Sequence, residues 1–177
     1  EFQRTAKPDG YSIIGFNIPH IIGQPMLRKE AGYKTDGFKP IMWFHFTPNT
    51  FVVSKDSEFK TLDDFIKFAK KKPFVGTVGG SGTYSANHLE TIRCMKAAGI
   101  DLTYVPYTGT GPVIPALMGG HIKAAMSYSP MSVNYKDKFR TLAVAAEERV
   151  PAMPDVPTFK ELGYDIVGGA FRGVAAP

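Results

Sequence analysis

The 177-residue sequence contains one cysteine, Cys94, and no long apolar run. A single cysteine excludes an internal disulfide and argues against a cysteine-based metal site. Its place in a helix-like stretch beside Met95 favours a buried thiol. The apolar runs are short and interrupted by Gly or Pro, and none approaches the roughly 20 residues that a membrane-spanning helix needs. The sequence therefore predicts a packed chain without direct membrane insertion.

The sequence also has little excess charge, since its formal net charge is only +5. The lysines and arginines are scattered, apart from the run 70–72 that follows an amphipathic segment and precedes Pro73. Cations at the end of a helix complement its dipole, and this explains the run without a partner. A nucleic-acid-binding protein would need a basic stripe with interleaved aromatic residues. We therefore expect no nucleic-acid partner.

Catalytic and metal-binding patterns are scarce as well. The sequence has no nucleophile elbow, and its glycine-rich loop at 79–82 is followed neither by the Gly-Lys-Ser/Thr of a phosphate-binding loop nor by the third glycine of a dinucleotide site. His88 is interpreted as a packed or capping residue. Four dispersed histidines form no metal-type pair: His20, His45, His88 and His121. The sequence predicts no catalytic residue, no metal and no cofactor, and hence a protein that is not an enzyme.

Hydrophobic periodicity and turn residues predict alternating strands and helices. Predicted strands cover residues 11–16, 38–46, 49–53, 74–78, 102–105, 122–126 and 142–145. Predicted helices begin at Thr61, after Gly82, at Pro112 and at Thr158, with Gly99 as the C-cap of the second and Leu162 as the end of the last. Residues 17–36 are expected to be mainly loop with at most a helical turn, and Trp43, Phe44 and Phe46 are expected to be core. This order predicts an α/β fold with a mostly parallel sheet and helices on its faces.

Two loops lie where such a sheet binds ligands, beyond the carboxyl ends of its strands. Residues 79–85 and 107–112 each leave a predicted strand and open a helix. Unpaired N–H groups at a helix N-terminus favour an anion, and Gly lets the backbone approach it closely. Ser81, Thr83 and Ser85 would add hydroxyl donors, as would Thr108 and Thr110. The same loops are equally explained as turns with capping hydroxyls, so both interpretations stay open on the residues alone.

Several motifs, in this order along the chain, resemble one family. They are Pro8-Asp9-Gly10-Tyr11, residues 79–83 followed by His88-Leu89, residues 105–109, residues 119–122, Leu142-Ala143-Val144 with Glu148-Arg149, and the block 154–163. That last block, Pro-Asp-Val-Pro-Thr-Phe-Lys-Glu-Leu-Gly, is the most specific. The sequence resembles the substrate-binding proteins of tripartite tricarboxylate transporters, the Bug or TctC family, over nearly its whole length.

The resemblance implies a two-lobed periplasmic binding protein of the Venus flytrap type, which captures a small carboxylate between its lobes for membrane permease subunits. The chain resembles a family member truncated at both ends, with one complete lobe and part of the other. Residues 1–48 correspond to part of the first lobe, 49–170 to the second lobe, and 171–177 to the strand that returns to the first. A periplasmic location is implied, with the signal peptide not present in this chain.

The resemblance also implies the ligand contacts. The second lobe would contribute Ser81, Gly82, Thr83, Ser85, Tyr107, Thr108, Gly109 and Ser127, and the first lobe Asn17. Many relatives have Asp where this chain has Lys123 and Ser127. An Asp at the latter position could pair with an ammonium group, which Ser127 cannot do strongly, so we expect a carboxylate that lacks an amine. The alternative is that Ser127 is exposed and has no structural role.

Two other functions remain open from the sequence. The same fold could sense a ligand for a signalling partner instead of delivering it to a permease. A small α/β enzyme could use the same loops, although it would need a nucleophile–base pair or metal cluster that the sequence does not show.

Overall fold

The computed structural model describes residues 5–177 of the chain. The chain forms two compact units: the first ends at Thr47 and resumes with Ala170–Pro177, and the second is Pro48–Gly169. The first four residues of the expected first-lobe segment, 1–48, lie outside the described residues.

Seven strands and five helices occur in the described residues. The strands are β1 (Ile14–Ile18), β2 (Lys39–Ser54), β3 (Thr77–Gly80), β4 (Thr103–Pro106), β5 (Ala124–Tyr128), β6 (Phe139–Val144) and β7 (Gly169–Ala176). The helices are α1 (His20–Leu27), α2 (Leu62–Lys71), α3 (Ala86–Ala98), α4 (Thr110–Met118) and α5 (Ser129–Asn134), with a 3₁₀ turn at Thr35–Gly37. No described helix has the length and apolar character to cross a bilayer.

The first unit is built from β1, β7, the first half of β2 and α1. Strand β1 pairs antiparallel with β7, so that Asn17 lies opposite Arg172. Helix α1 lies in the segment 17–36, which was expected to be mainly loop with at most a helical turn, so the extent of this helix was underestimated. Gly23 and Pro25 lower helix propensity, and they conceal a helix that is eight residues long.

The aromatic run on β2 corrects a second prediction. Trp43, Phe44 and Phe46 were expected to be core, yet they are 48%, 55% and 37% exposed. Within the first unit, Phe16 packs edge-on against Trp43 and Phe171 packs against Phe46. Hydrophobicity alone therefore overstated the burial of this segment.

The sheet of the second unit has the order β6-β2-β5-β3-β4. Strand β3 is parallel to β4 and β5, whereas β2 is antiparallel to both β5 and β6. Four strands therefore run in one direction and β2 alone runs against them. The expected mostly parallel sheet is confirmed, with one reversed strand in it.

Helices cover both faces of this sheet, because successive side chains of a strand point to opposite faces. Phe51 and Val53 of β2 join one buried cluster with residues of α2 and α3. Val52, between them, joins the other cluster with residues of α4 and α5. The second unit thus has a three-layer α/β/α core.

Helix α2 forms as the sequence predicts. Thr61 Oγ1 accepts a hydrogen bond from the N–H of Asp64 at 3.2 Å, and Asp64 Oδ2 accepts one from the N–H of Thr61 at 2.9 Å. This reciprocal capping box satisfies two N–H groups that a helix start leaves unpaired. The buried face consists of residues three and four apart: Leu62, Phe65, Ile66 and Ala69. Gly99 ends α3 at φ 61°, also as expected.

Two helix assignments near the chain's second half differ from the prediction. The segment 158–162 forms turns instead of a helix. Thr158 and Glu161 do make capping-box contacts, but Gly163 takes φ 87° and ends the structure after one turn. Helix α5 was missed, since its six residues are too few for a hydrophobic period to show.

Candidate functional site

The carboxyl ends of β3, β4 and β5 lie at one edge of the second unit's sheet. The first loop (residues 81–85) follows β3, and the second loop (residues 107–109) follows β4. The N–H of Tyr107 donates to the carbonyl of Gly80 at 2.9 Å, which ties the start of the second loop to the end of β3. The hydroxyls of Ser81 and Tyr128, the last residue of β5, are 3.4 Å apart. The fold therefore assembles all three strand ends at one place.

The first loop needs glycine where the chain is crowded or left-handed. A Cβ on Gly80 would lie 2.4 Å from the hydroxyl of Tyr104 and 2.9 Å from Cβ of Asn87. Gly82 takes φ 107°, a value that residues with side chains rarely adopt. Gly80, at the end of β3, and Gly82, in the loop, thus let the chain pass close to Tyr104 and Asn87 as it leaves the strand.

Ser85 is the N-cap of α3 and is fully buried. Its Oγ accepts a hydrogen bond from the N–H of His88 at 3.2 Å, so the capping interpretation holds for this serine. His88 in turn accepts the N–H of Tyr84 at Nδ1, at 3.1 Å, and its ring packs on Tyr104. Burial lowers the pKa of His88, which favours the neutral ring that an accepting nitrogen requires. The expected packing and capping role of His88 is confirmed.

Tyr104 supports the first loop from β4. Its hydroxyl donates to the carbonyl of Gly82 at 3.0 Å, and burial raises its pKa to about 12. Nothing in the sequence pattern singles this residue out. A tyrosine two residues before the end of a strand gives no local sign that its hydroxyl will reach a loop 22 residues away.

Ser81 is oriented by a residue that the sequence analysis also missed. Its N–H and its hydroxyl both donate to Oδ1 of Asn87, at 3.1 Å and 2.6 Å. The hydroxyl proton of Ser81 is therefore engaged within the protein, which corrects the expectation that it serves as a free donor. The oxygen of Ser81 keeps the capacity to accept.

Other donors of the two loops have no partner among the described residues. No described residue accepts a hydrogen bond from the backbone N–H of Thr83, Thr108 or Gly109, or from the hydroxyls of the two threonines. Helix α4 starts beside them at Thr110 and has no side-chain cap. Pro112 is its third residue instead of its first, so the open turn begins earlier than expected. Neutral N–H and O–H groups at a helix N-terminus suit an anion.

Ser127 is inside the sheet. It is 1% exposed, and its hydroxyl donates to the sulfur of Met131 at 2.8 Å. The alternative that this serine is exposed and without structural role is wrong. At this strand end the next residue, Tyr128, is the one whose hydroxyl faces Ser81.

Asn17 belongs to the first unit and is exposed on β1. Its register partner, Arg172, donates from Nη1 to Oγ1 of Thr47. Burial, and to a lesser degree Arg172, lowers the pKa of the neighbouring His20. The remaining predicted residues are all in the second unit.

A buried carboxyl lies beneath the first loop. Glu90 on α3 is 3% exposed, and burial raises its pKa. Its Oε2 accepts from Asn49 Nδ2 at 3.1 Å, and its Oε1 lies 3.3 Å from Nη1 of Arg93. Cys94 on the same helix is buried as expected, and burial raises its pKa to about 12. Within residues 5–177, no three His, Cys, Asp or Glu side chains converge in a metal-type group.

Glu90 makes stability depend on pH in a defined direction. Its raised pKa means that the folded protein holds the proton more tightly than the unfolded chain. The stability it contributes is thus complete below the ordinary Glu pKa of about 4.3 and is lost as the pH rises through the raised value. We expect the free energy of unfolding of the wild type to fall, relative to Glu90→Gln, as the pH rises above about 4. Urea unfolding across that range measures it.

Glu58→Gln, which removes an exposed carboxylate, is the matched control for this series. The raised pKa of Glu90 would be contradicted by either of two results. The difference in free energy of unfolding between wild type and Glu90→Gln could stay constant as the pH rises, or it could grow in favour of the wild type.

Comparison with known proteins places the chain in one group. A family model described as "Tripartite tricarboxylate transporter family receptor" matches residues 1–177. A UPF0065 protein of Cupriavidus necator is 29% identical over all of this chain and 54% of its own length.

Two solved structures are similar over most of the chain. MatC of Rhodopseudomonas palustris, with bound malate, is 27% identical with a TM-score of 0.87, over 99% of this chain and 61% of its own. Rpa4515 of the same organism, with adipate, is 28% identical with a TM-score of 0.90, over 98% and 59%. The chain thus spans about half of the curated relative and about 60% of the solved chains. The predicted α/β fold of a two-lobed periplasmic binding protein, with one complete lobe and part of the other, is confirmed.

Proposed function

Because this chain belongs to the tripartite tricarboxylate transporter family of receptors, we propose that it captures a small carboxylate in the periplasm and presents it to membrane permease subunits. The observation that carries the proposal is a set of donors at one edge of the sheet that no described residue accepts from: the N–H groups of Thr83, Thr108 and Gly109, beside the start of α4, which has no side-chain cap. The carboxylates bound by MatC and Rpa4515, malate and adipate, support the same class of ligand.

Some residues of the proposed site contact the ligand, and others hold the loops in position. Ser81, Gly82, Thr83 and the second loop, Tyr107 to Gly109, face the ligand. Ser85 caps α3 and holds the first loop from below. Hydrogen bonds from neutral donors to a charged acceptor contribute about 1.5–3 kcal/mol each, so several can hold a carboxylate without an arginine.

The proposal also concerns two residues away from these loops, Asn17 and Ser127. The second unit corresponds to the second lobe, and the first unit to the part of the first lobe that contributes Asn17. Ser127 supplies no carboxylate, and its hydroxyl is directed at Met131. We therefore expect a ligand without an amine.

Family and fold are those of solute-binding proteins rather than enzymes. Binding and release without chemistry is accordingly part of the proposal. No described feature favours an enzyme or a sensor over transport.

A thermal-shift screen of the intact protein tests the proposal. The ligands are malate, adipate, citrate and benzoate, with aspartate as the matched comparison, because it differs from malate in carrying an ammonium in place of a hydroxyl. A ligand at a hundredfold excess over its dissociation constant stabilises the folded state by about 2.7 kcal/mol. We expect at least one of the four acids to raise Tm, and malate to exceed aspartate.

Two results would count against the proposal in different ways. If none of the four acids shifts the Tm of folded, ligand-free protein, the carboxylate function is wrong. If aspartate stabilises more than malate, the carboxylate function stands and the absence of an amine is wrong.

A further inference from the structure

A buried chain of polar side chains leads from the first loop into the core of the second unit. Asn87 accepts two hydrogen bonds from Ser81, and its Nδ2 donates to Oδ1 of Asn49 at 2.9 Å. Nδ2 of Asn49 donates to Glu90 at 3.1 Å and to the carbonyl of Ala86 at 3.2 Å. Asn87, Asn49 and Glu90, here called the amide network, are 1%, 0% and 3% exposed.

The orientation of both amides is fixed by their partners. An inverted Asn87 would present its NH₂ group to the N–H and hydroxyl of Ser81, so that donors would face donors. An inverted Asn49 would present its oxygen to the Ala86 carbonyl and the Glu90 carboxylate. Each amide therefore has one arrangement that satisfies all of its groups. That arrangement also fixes the position of Ser81, whose N–H and hydroxyl both donate to Asn87.

The network ends at the two segments where the chain leaves the second unit. Asn49 is the second residue of that unit, and its N–H donates to the carbonyl of Gly168 at 2.9 Å. Gly168 is the last residue but one, and a Cβ there would lie 1.9 Å from Oε2 of Glu90. Arg93, paired with Glu90, also donates to the carbonyl of Val167 at 2.9 Å. Only glycine at 168 lets the exit segment pack against the carboxyl.

A network of this kind is costly in a core, because every buried polar group must be satisfied. Well-packed apolar side chains would stabilise the same helix-to-strand contact as well or better. Polar residues kept at such a place are typical of functional sites, where local rules of stability are relaxed. The network also makes two hydrogen bonds to a loop residue of the proposed site, which a purely internal packing role would not require.

We propose that Asn87 and Asn49 are positioning residues of the ligand site, which hold Ser81 and the first loop in the ligand-binding arrangement and anchor them to the segments where the chain leaves the second unit. The inference rests on the proposed function. Neither residue contacts the ligand. Both act through Ser81.

The test compares ligand affinity with stability in variants of the intact protein. Each variant is titrated calorimetrically with whichever of malate, adipate, citrate and benzoate gives the wild type its largest thermal shift. We expect Asn87→Ala and Asn49→Ala each to raise Kd about tenfold, the equivalent of about 1.4 kcal/mol. Thr91→Val is the matched control, because it removes a different buried hydrogen bond of the same helix, from Thr91 Oγ1 to the carbonyl of Asn87. We expect it to lower Tm and leave Kd unchanged.

A double-mutant cycle separates positioning from general loosening. If Asn87 acts through Ser81, its effect on Kd shrinks in a Ser81→Ala background, whereas its effect on Tm persists. Kd values of Asn87→Ala and Asn49→Ala within about twofold of the wild type, with lowered Tm, would overturn the inference and leave both residues structural. Asn87→Ser replaces Asn87→Ala if the latter does not fold. A wild type that binds none of the four acids would instead reject the proposed function, and this inference with it.

Discussion

Thr83→Trp is expected to abolish the stabilisation that a bound carboxylate gives the protein. Thr83 is half-buried in the first loop, and no described residue hydrogen bonds to its hydroxyl or its N–H. The substitution therefore breaks no contact that the fold needs, while an indole ring would occupy the space in front of the unpaired donors. We expect a loss of the whole shift, about 2.7 kcal/mol at a hundredfold ligand excess. Thermal unfolding with and without the best acid of the screen measures it.

Lys136→Trp is the control for this experiment. It adds the same ring at an exposed position just before β6, at the opposite edge of the same sheet. We expect it to keep the ligand shift. If Thr83→Trp keeps the shift as well, the first loop is not the ligand site, whatever the protein binds.

Phe65→Ala is expected to lower the free energy of unfolding by about 3–5 kcal/mol. Phe65 is fully buried on α2, and its ring centroid lies 4.9 Å from that of Phe51 and 5.1 Å from that of Phe59. Truncation removes its buried area and leaves a cavity that rigid aromatic neighbours cannot close. Since domains are stable by only about 5–15 kcal/mol, this loss would bring the second unit close to unfolding. Urea titration monitored by circular dichroism gives the value.

Phe74→Ala controls for the chemistry of that substitution, because Phe74 is 63% exposed in the same unit. We expect a change within about 0.5 kcal/mol. A loss below about 1.5 kcal/mol at Phe65 would mean that the site relaxes around the cavity and that the aromatic cluster is less rigid than its ring geometry indicates.

The elements that sequence analysis predicted well are those whose stabilising contacts are local. Thr61 and Asp64 cap α2 across three residues, and Gly99 ends α3 through its own φ angle. The two loops were found for a similar reason, since a glycine-rich segment between a strand and a helix is visible in a short window. Helix α1 could not be recognised in a short window, because Gly23 and Pro25 lower the helix propensity of that segment.

The candidate site was predicted in outline and not in its chemistry. Its loops and most of its hydroxyl residues came from the sequence and from the family resemblance. The role of Ser81 could not be predicted, because the acceptor of its proton is the side chain of Asn87. The burial of Ser127 could not be predicted either, because it depends on pairing with β2, where its partner Thr50 lies 77 positions earlier in the chain.

The sequence by itself determined the α/β class, the buried thiol of Cys94, the cap of α2, the position of the two loops and the family. These depend on residue type, on periodicity and on contacts within a few positions. Only the tertiary structure decided that β2 runs against its neighbours, that Trp43 is exposed and that Asn49, Asn87 and Glu90 form one network. Within the network, Asn49 lies 41 positions from Glu90 and 38 from Asn87, and Thr50 of β2 pairs with Ser127, 77 positions later. Their partners are set by strand register and helix placement, and a hydrogen bond needs both groups within about 3 Å.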